Sequence, residues 1–405
     1  MMNKNLFFLF ITLGISLGCT QSGSQEEQEI PLTSENSFQV VETVQSAIPP
    51  RRALVNTQKV KNVIFFIADG TGIAQLHSGQ LNVVGKDGRM HFQTMPVTGL
   101  VSTHSTSSLI TDSAAGATAY SCGKKTDNGM IAQLPDGTNC KTVLEFAQEK
   151  GMSTALISTS GITHATPASY ASHIVSRRME ADIAAQYVDS NVDVFLGGGE
   201  EFFIPSDQAG SRREDTRNLK EEFVQKGYDI ATTASEMHAA SGDKIVGLFA
   251  SGGLTHADSE PTLAEMTAKA LSIVEDNDNG FFMMIEGSQI DWGGHDNDAA
   301  YVVREVKSFD AAVKEALDFA EQDGETLVII TADHETGGMA LTENLDEGAK
   351  MRISWPTDYH TAVPIPLMAY GPRAIEFTGW WDNTEVGKKV ADILNIQDFP
   401  ANLEK

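Results

Sequence analysis

Five apolar, β-rich runs recur along this 405-residue chain, and each finishes in a polar cluster. Residues 60–68 end in Asp69-Gly70, 154–158 lead to Gly161-Ile162-Thr163-His164-Ala165-Thr166, and 192–196 lead to Gly197-Gly198-Gly199. Residues 281–285 end in Glu286-Gly287-Ser288-Gln289-Ile290-Asp291-Trp292-Gly293-Gly294-His295, and 327–331 end in Asp333-His334-Glu335-Thr336-Gly337-Gly338. Runs this apolar read as strands buried on both faces, and the helical stretches between them supply the crossovers of a largely parallel sheet. In an open α/β sheet, ligands bind beyond the carboxyl ends of the strands, which is where the clusters fall. A single Asp-Gly after a strand is ordinarily a turn. Three carboxylate-bearing clusters after three strands, two with histidines attached, are not accounted for by turn chemistry.

The donor chemistry points to metal. Zinc takes imidazole nitrogen and carboxylate oxygen, whereas magnesium prefers oxygen. Asp291 and His295 are close enough in sequence for a turn to fold both onto one ion. Asp333 and His334 are adjacent and would face opposite ways in an extended strand, so they must sit where the strand is ending. Glu286, Asp69 and the Thr166 hydroxyl are oxygen donors for a harder ion. Of the ten histidines, His295, His334 and His360 are the expected zinc ligands. His77, His91, His104, His238 and His256 lack neighbouring ligand clusters and read as surface or packing residues, while His173 fits either a supporting role or an interior helix position.

The run Ile110-Thr111-Asp112-Ser113-Ala114-Ala115-Gly116-Ala117-Thr118 places one hydroxyl among very small residues at an expected helix start. There, unpaired N–H groups and the helix dipole favour an alkoxide and a bound anion. The same residues suit an N-cap serine before an alanine-rich helix. Composition adds a constraint. With 55 acidic and 29 basic residues the net charge is −26, which argues against nucleic acid as a partner. Any phosphate pocket in such a chain needs local positive charge, and metal ions would supply it.

These segments, in this order, resemble the alkaline phosphatases from about Lys59 to about Ala401. The resemblance rests on the Ser113 run, residues 63–72, 164–177, 286–295 and 331–338, and His360 with the Ala369-Tyr370-Gly371-Pro372 that follows. It implies a three-layer α/β/α sandwich with a large, mostly parallel central sheet and inserted surface loops. It also implies phosphomonoester hydrolysis through a phosphoserine at Ser113, release of inorganic phosphate, and a homodimer. Asp291, His295 and His360 would hold one zinc; Asp69, Ser113, Asp333 and His334 would surround a second. Asp69 would be shared towards a magnesium bound by Thr166 and Glu286. Arg177 corresponds to the arginine that clamps substrate phosphate, and Asp112 to the carboxylate that orients it.

Two positions depart from the enterobacterial pattern, which has an aspartate and a lysine near the third metal and the phosphate. His164 and Trp292 stand there, a pair similar to some marine bacterial members. Tryptophan places no cation near phosphate, so weaker product binding and faster release are expected. Related hydrolases compete with this reading. A sulfatase would have proline and arginine where Ala115 and Ala117 stand, whereas a phosphodiesterase of the superfamily commonly uses threonine and fewer metals. A metal- or phosphate-binding lipoprotein without turnover is the non-enzymatic alternative.

The amino terminus carries Lys4, the apolar run 6–17 and Gly18-Cys19. A twelve-residue run is too short to span a bilayer, and a small residue before a lone cysteine resembles a lipobox. Residues 1–18 are therefore expected as a lipoprotein-type signal, or a plain secretory one, with export to the periplasm or cell surface and a lipid anchor at Cys19. Residues 19–57, rich in Gln, Ser, Thr and Glu, are expected as a flexible tether, and 58–405 as one catalytic domain. Residues 200–255 and 343–358 lack catalytic clusters and read as surface loops. Cys122 and Cys140 are either a disulfide across a short loop or two buried thiols.

Overall fold

The computed structural model describes residues 33–42, 48–52 and 59–403. The expected signal, Cys19 and much of the expected tether lie outside them. In chain order the strands are β1 (Ser37–Gln39), β2 (Asn62–Ala68), β3 (Val97–Ser102), β4 (Ser153–Gly161), β5 (Val194–Gly198), β6 (Asp229–Ala231), β7 (Ile245–Leu248) and β8 (Phe281–Gly287). They continue with β9 (Thr326–Thr331), β10 (Glu335–Thr336), β11 (Ala340–Leu345), β12 (Lys350–Ser354), β13 (His360–Thr361), β14 (Ile365–Tyr370) and β15 (Gly379–Asp382).

Ten of them form one sheet in the order β15-β3-β14-β9-β2-β8-β4-β5-β7-β6. β14 runs antiparallel to both its neighbours, and the remaining pairings are parallel. The side-chain period of two divides β2 between two cores. Val63, Phe65 and Ile67 enter one with the helices Ser113–Cys122, Ala165–Ala171 and Asn383–Ile393. Ile64, Phe66 and Ala68 enter the other with the helices Leu263–Val274 and Ala299–Asp323. This is the expected three-layer arrangement. Its register positions the site: Ile67 lies opposite both Glu286 and Thr331, and Ser158 also lies opposite Glu286. The polar residues that follow β2, β4, β8 and β9 therefore emerge at one level.

Three expectations change. Ser37–Gln39, inside the range assigned to a tether, is β1, paired antiparallel with β12. Ala299 and Ala300 N–H donate to the carbonyls of Glu35 and Ser34, and Arg51 pairs with Asp318 at 2.6 Å and with Glu321. A three-residue strand with one buried residue, Phe38, gives no periodic signal. Residues 200–255 contain β6 and β7, which extend the main sheet, and residues 343–358 contribute to a β11–β12 hairpin. Cys122 and Cys140 form a disulfide with Cα atoms 5.9 Å apart. Closing a loop of this length stabilises the fold by about 3 kcal/mol.

Candidate active site

Ser113 opens its helix, but Asp112 is the cap, its carboxylate accepting from Ala115 N–H at 3.0 Å. The serine hydroxyl is thereby free for other partners. It lies 3.5 Å from Asp69 Oδ2 and 3.4 Å from His334 Nε2. The small residues after it are buried, and a Cβ on Gly116 would sit 3.0 Å from Asp333 Cβ. Their observed effect is to let this helix close onto the loop that carries Asp333. On the far side, Gly70 has φ +67°, and a Cβ there would lie 2.5 Å from Asp291 Cα, so the Asp69 turn requires glycine twice over.

The three expected ligand histidines are oriented alike. His360 Nδ1 bonds the Thr111 carbonyl at 2.8 Å, and His295 Nδ1 bonds the Asp358 carbonyl at 2.7 Å. Carbonyls only accept, so both Nδ1 atoms carry the proton. His334 Nδ1 lies 3.2 Å from the Thr336 hydroxyl, which spends its own proton on Asp291. Each ring thus turns Nε2 inward as an acceptor, the arrangement that prepares histidine for metal. His295 Nε2 and His360 Nε2 face one another at 3.2 Å, with Asp291 Oδ2 3.4 Å from the former. Two lone pairs and a carboxylate converging on one point call for a cation.

Among the described residues, metal-compatible donors form three groups: Asp291, His295 and His360; Asp69, Asp291 and His334; and Asp69, His164 and Glu286. Asp333 belongs beside the second, with Oδ2 3.3 Å from His334 Nε2. Asp69 Oδ1, Asp333 Oδ2, Glu286 Oε1, Thr166 Oγ1 and His164 Nδ1 are buried without a hydrogen-bond partner. Leaving five such atoms unsatisfied is costly, and ligation by cations resolves most of that cost. The residues present therefore fit divalent metal.

Electrostatics agree. Burial, reinforced by Asp333, Asp291 and Glu286, raises the Asp69 carboxyl well above its ordinary range. Burial pushes Glu286 up to about 7 and also raises Asp333. His334 is held well below the usual imidazole range by burial, with the Arg177 charge adding to it, and His164 is lowered to about 3 by burial and Arg177. Like charges resist one another here until positive charge enters.

Arg177 Nη1 pairs with Asp112 Oδ2 at 3.2 Å, and its backbone N–H donates to the Gly129 carbonyl at 2.7 Å. Burial opposes its charge, but Asp112, Asp69 and Asp291 outweigh burial and raise its pKa. Arg177 Nη2 also donates to His164 Nε2 at 3.1 Å, and the His164 ring meets Trp292 edge to face at 6.4 Å.

A sequence model of the family described as alkaline phosphatase matches residues 60–351. The chain belongs to the alkaline phosphatase family. Alkaline phosphatase 3 of Bacillus subtilis is 35% identical over 424 residues, covering 84% of this chain and 90% of that one. The structure of alkaline phosphatase from the Antarctic bacterium TAB5 superposes with a TM-score of 0.76 at 36% identity, over 84% of this chain and 98% of that one. A structure of a variant of that enzyme has magnesium bound, with a TM-score of 0.74, 36% identity and coverage of 84% and 99%. This alkaline phosphatase is accordingly a metal-dependent phosphatase acting on small phosphate esters.

The structure brings Asp69, His164, Glu286, Asp291, His295, His334 and His360 together, with Asp333 and Ser113 alongside, Arg177 linking Asp112 to His164, and Trp292 against His164; His164 lies closer to the carboxylates than a purely supporting role implies. Other groups had no assigned role. The Ser288 hydroxyl donates to Glu286 Oε2 at 2.7 Å, Thr336 ties Asp291 to His334, and Gln75 Nε2 donates to Glu335 Oε1 at 2.6 Å. Ser288 and Thr336 each stand two residues beyond an expected ligand, and a hydroxyl so placed was the available signal. His173 is a supporting residue: Nε2 meets Glu145 at 2.9 Å and Nδ1 meets the Ala132 carbonyl at 3.0 Å, bracing the segment before Arg177.

Proposed function

We propose that this alkaline phosphatase hydrolyses phosphomonoesters through a phosphoserine at Ser113, with two zinc ions and one magnesium ion, releasing inorganic phosphate. The observation that carries the reading is the Ser113 hydroxyl, uncommitted to capping and set between Asp69 and His334 at a helix start. Asp291, His295 and His360 would hold one zinc, and Asp69, Asp333 and His334 the other, beside Ser113. Asp69, Glu286 and Thr166 would hold magnesium, with His164 adjacent. When bound, these ions favour the serine alkoxide and stabilise charge building on the departing oxygen. Three divalent ions against four carboxylates leave about +2 at the centre of a strongly acidic protein, which suits a phosphate dianion.

The chain's own groups do the rest. Ser113 releases its hydroxyl proton to solvent as Oγ attacks phosphorus in line, forming a P–O bond while the ester P–O bond opposite breaks, and the leaving oxygen takes a proton from water. N–H groups of the first helical turn face the anion. Arg177 offers paired N–H donors to two non-bridging oxygens while Asp112 fixes the guanidinium plane. Water then attacks phosphorus from the vacated side, frees Ser113 and yields inorganic phosphate. Export with acylation at Cys19, and assembly as a homodimer, belong to the same proposal.

Hydrolysis of p-nitrophenyl phosphate is expected to exceed that of its bis-ester by several orders of magnitude, and preference for the diester would overturn the assignment. Trp292→Lys places an ammonium near phosphate and is expected to lower the phosphate inhibition constant roughly three- to tenfold. An unchanged constant counts against the role given to that position.

A further inference from the structure

Trp292 leans on a wall built by a part of the chain without catalytic clusters, the segment that follows β7. A Cβ on Gly253 would lie 2.4 Å from Trp292 Cη2 and 2.8 Å from Cζ3. Gly253 is not among the residues with positive φ, so its backbone conformation does not demand glycine. The indole does. Its neighbour Gly252 is the opposite case, since it too lacks a positive φ, and a Cβ there would meet nothing within 4 Å.

The wall is fixed from several directions. Leu254 N–H donates to the Thr159 carbonyl at 2.9 Å, and Gly199 N–H donates to the Gly252 carbonyl at 2.8 Å. Gln289 Nε2 donates to the carbonyls of Leu254 at 2.7 Å and Thr159 at 2.8 Å. Gln289 and Trp292 lie on one short helix, Gln289–His295, so wall and indole share a frame. The indole also meets His164 edge to face, and His164 Nε2 accepts from Arg177 Nη2 at 3.1 Å. A packed line therefore runs from Gly253 through Trp292 and His164 to the guanidinium.

We propose that Gly253 is a positioning residue: its missing side chain sets the place of the Trp292 indole and, through His164, of the Arg177 group that grips phosphate. The inference rests on the phosphomonoesterase reading above. With the wall held by Thr159, Gln289 and Gly199, an added methyl has little room to retreat, so the six-membered ring must shift and its edge-to-face contact with His164 shifts with it. The cost falls on phosphate affinity rather than on the bond-making step.

The test uses the metal-loaded enzyme with p-nitrophenyl phosphate as substrate and inorganic phosphate as inhibitor. Gly253→Ala is expected to raise KM and the phosphate inhibition constant at least ~fivefold while kcat changes less than ~twofold. Gly252→Ala should match wild type in both constants. Trp292→Phe removes the atoms that the methyl would strike, so Gly253→Ala in that background should add less than ~twofold. Tryptophan emission gives a readout independent of turnover: Gly253→Ala should shift it, and the shift should vanish in the Trp292→Phe background. Wild-type constants in Gly253→Ala, or a Gly253→Ala effect undiminished by Trp292→Phe, would overturn the proposal, as would misfolding that Trp292→Phe does not relieve. Failure of the underlying reading would show separately, as wild-type enzyme without Ser113-dependent hydrolysis.

Discussion

Ser113→Ala lowers kcat for p-nitrophenyl phosphate by at least ~10⁴-fold, the scale on which loss of a covalent nucleophile is felt. The expected loss is chemical, because the fold has little reason to change. Asp112 continues to cap the helix, and its bonds to Ala115, to Gly129 N–H at 3.0 Å and to Arg177 all remain. The hydroxyl's contacts with Asp69 and His334 are long, at 3.5 and 3.4 Å, so removing them costs less than about 1 kcal/mol of stability. Near-wild-type thermal stability with collapsed turnover is the expected pair of results. Retained turnover would mean that the nucleophile lies elsewhere.

Metal removal has the second large effect. EDTA treatment is expected to reduce activity to background, with zinc and magnesium together restoring it, and to lower Tm by about 10 °C, as loss of ligands bound only by the folded state does. The pH dependence of the stripped protein carries a sign. Glu286, raised from 4.5 to about 7 by burial, binds its proton in the folded state at pH values where the unfolded chain has lost it. Its contribution to stability is therefore lost as pH rises through that window. His334 and His164, lowered from 6.5 by burial, act the other way: the unfolded chain protonates first, and stability falls as pH drops below about 6.5. The two effects oppose one another in the acidic range, so the carboxylate effect stands alone between pH 6.5 and pH 8. Stripped protein should be less stable at pH 8 than at pH 6.5, and the loaded enzyme should not show this decline. Differential scanning calorimetry at the two pH values, with and without metal, decides it.

Much of the frame was legible because its strands are long, apolar and closed by chemistry. β2, β8 and β9 bury every residue, and the carboxylates that follow them are what the register brings together. Other strands carry weaker signals for physical reasons. β6 has three residues, β7 has four, and β15 fully buries none of its residues, with Trp380 64% accessible. β3 alternates in burial, but its sequence, Val-Thr-Gly-Leu-Val-Ser, alternates only partly and contains Gly99, which reads as a turn. In the site, ligand types and spacing pointed to the metal groups, whereas orientation did not follow from them. That Asp112 rather than Ser113 caps the helix, that carbonyls of Thr111 and Asp358 fix two imidazoles, and that Gly253 meets Trp292 all depend on contacts between distant segments. No local period encodes such contacts.

The covalent intermediate is the central claim, and an acid quench of the metal-loaded enzyme during turnover of p-nitrophenyl phosphate tests it most directly. Peptide mass spectrometry of the quenched protein should find a phosphate adduct on Ser113, accumulating further when excess inorganic phosphate is present at acidic pH. Turnover proceeding at full rate with Ser113 unmodified, or with the adduct on another residue, would contradict it.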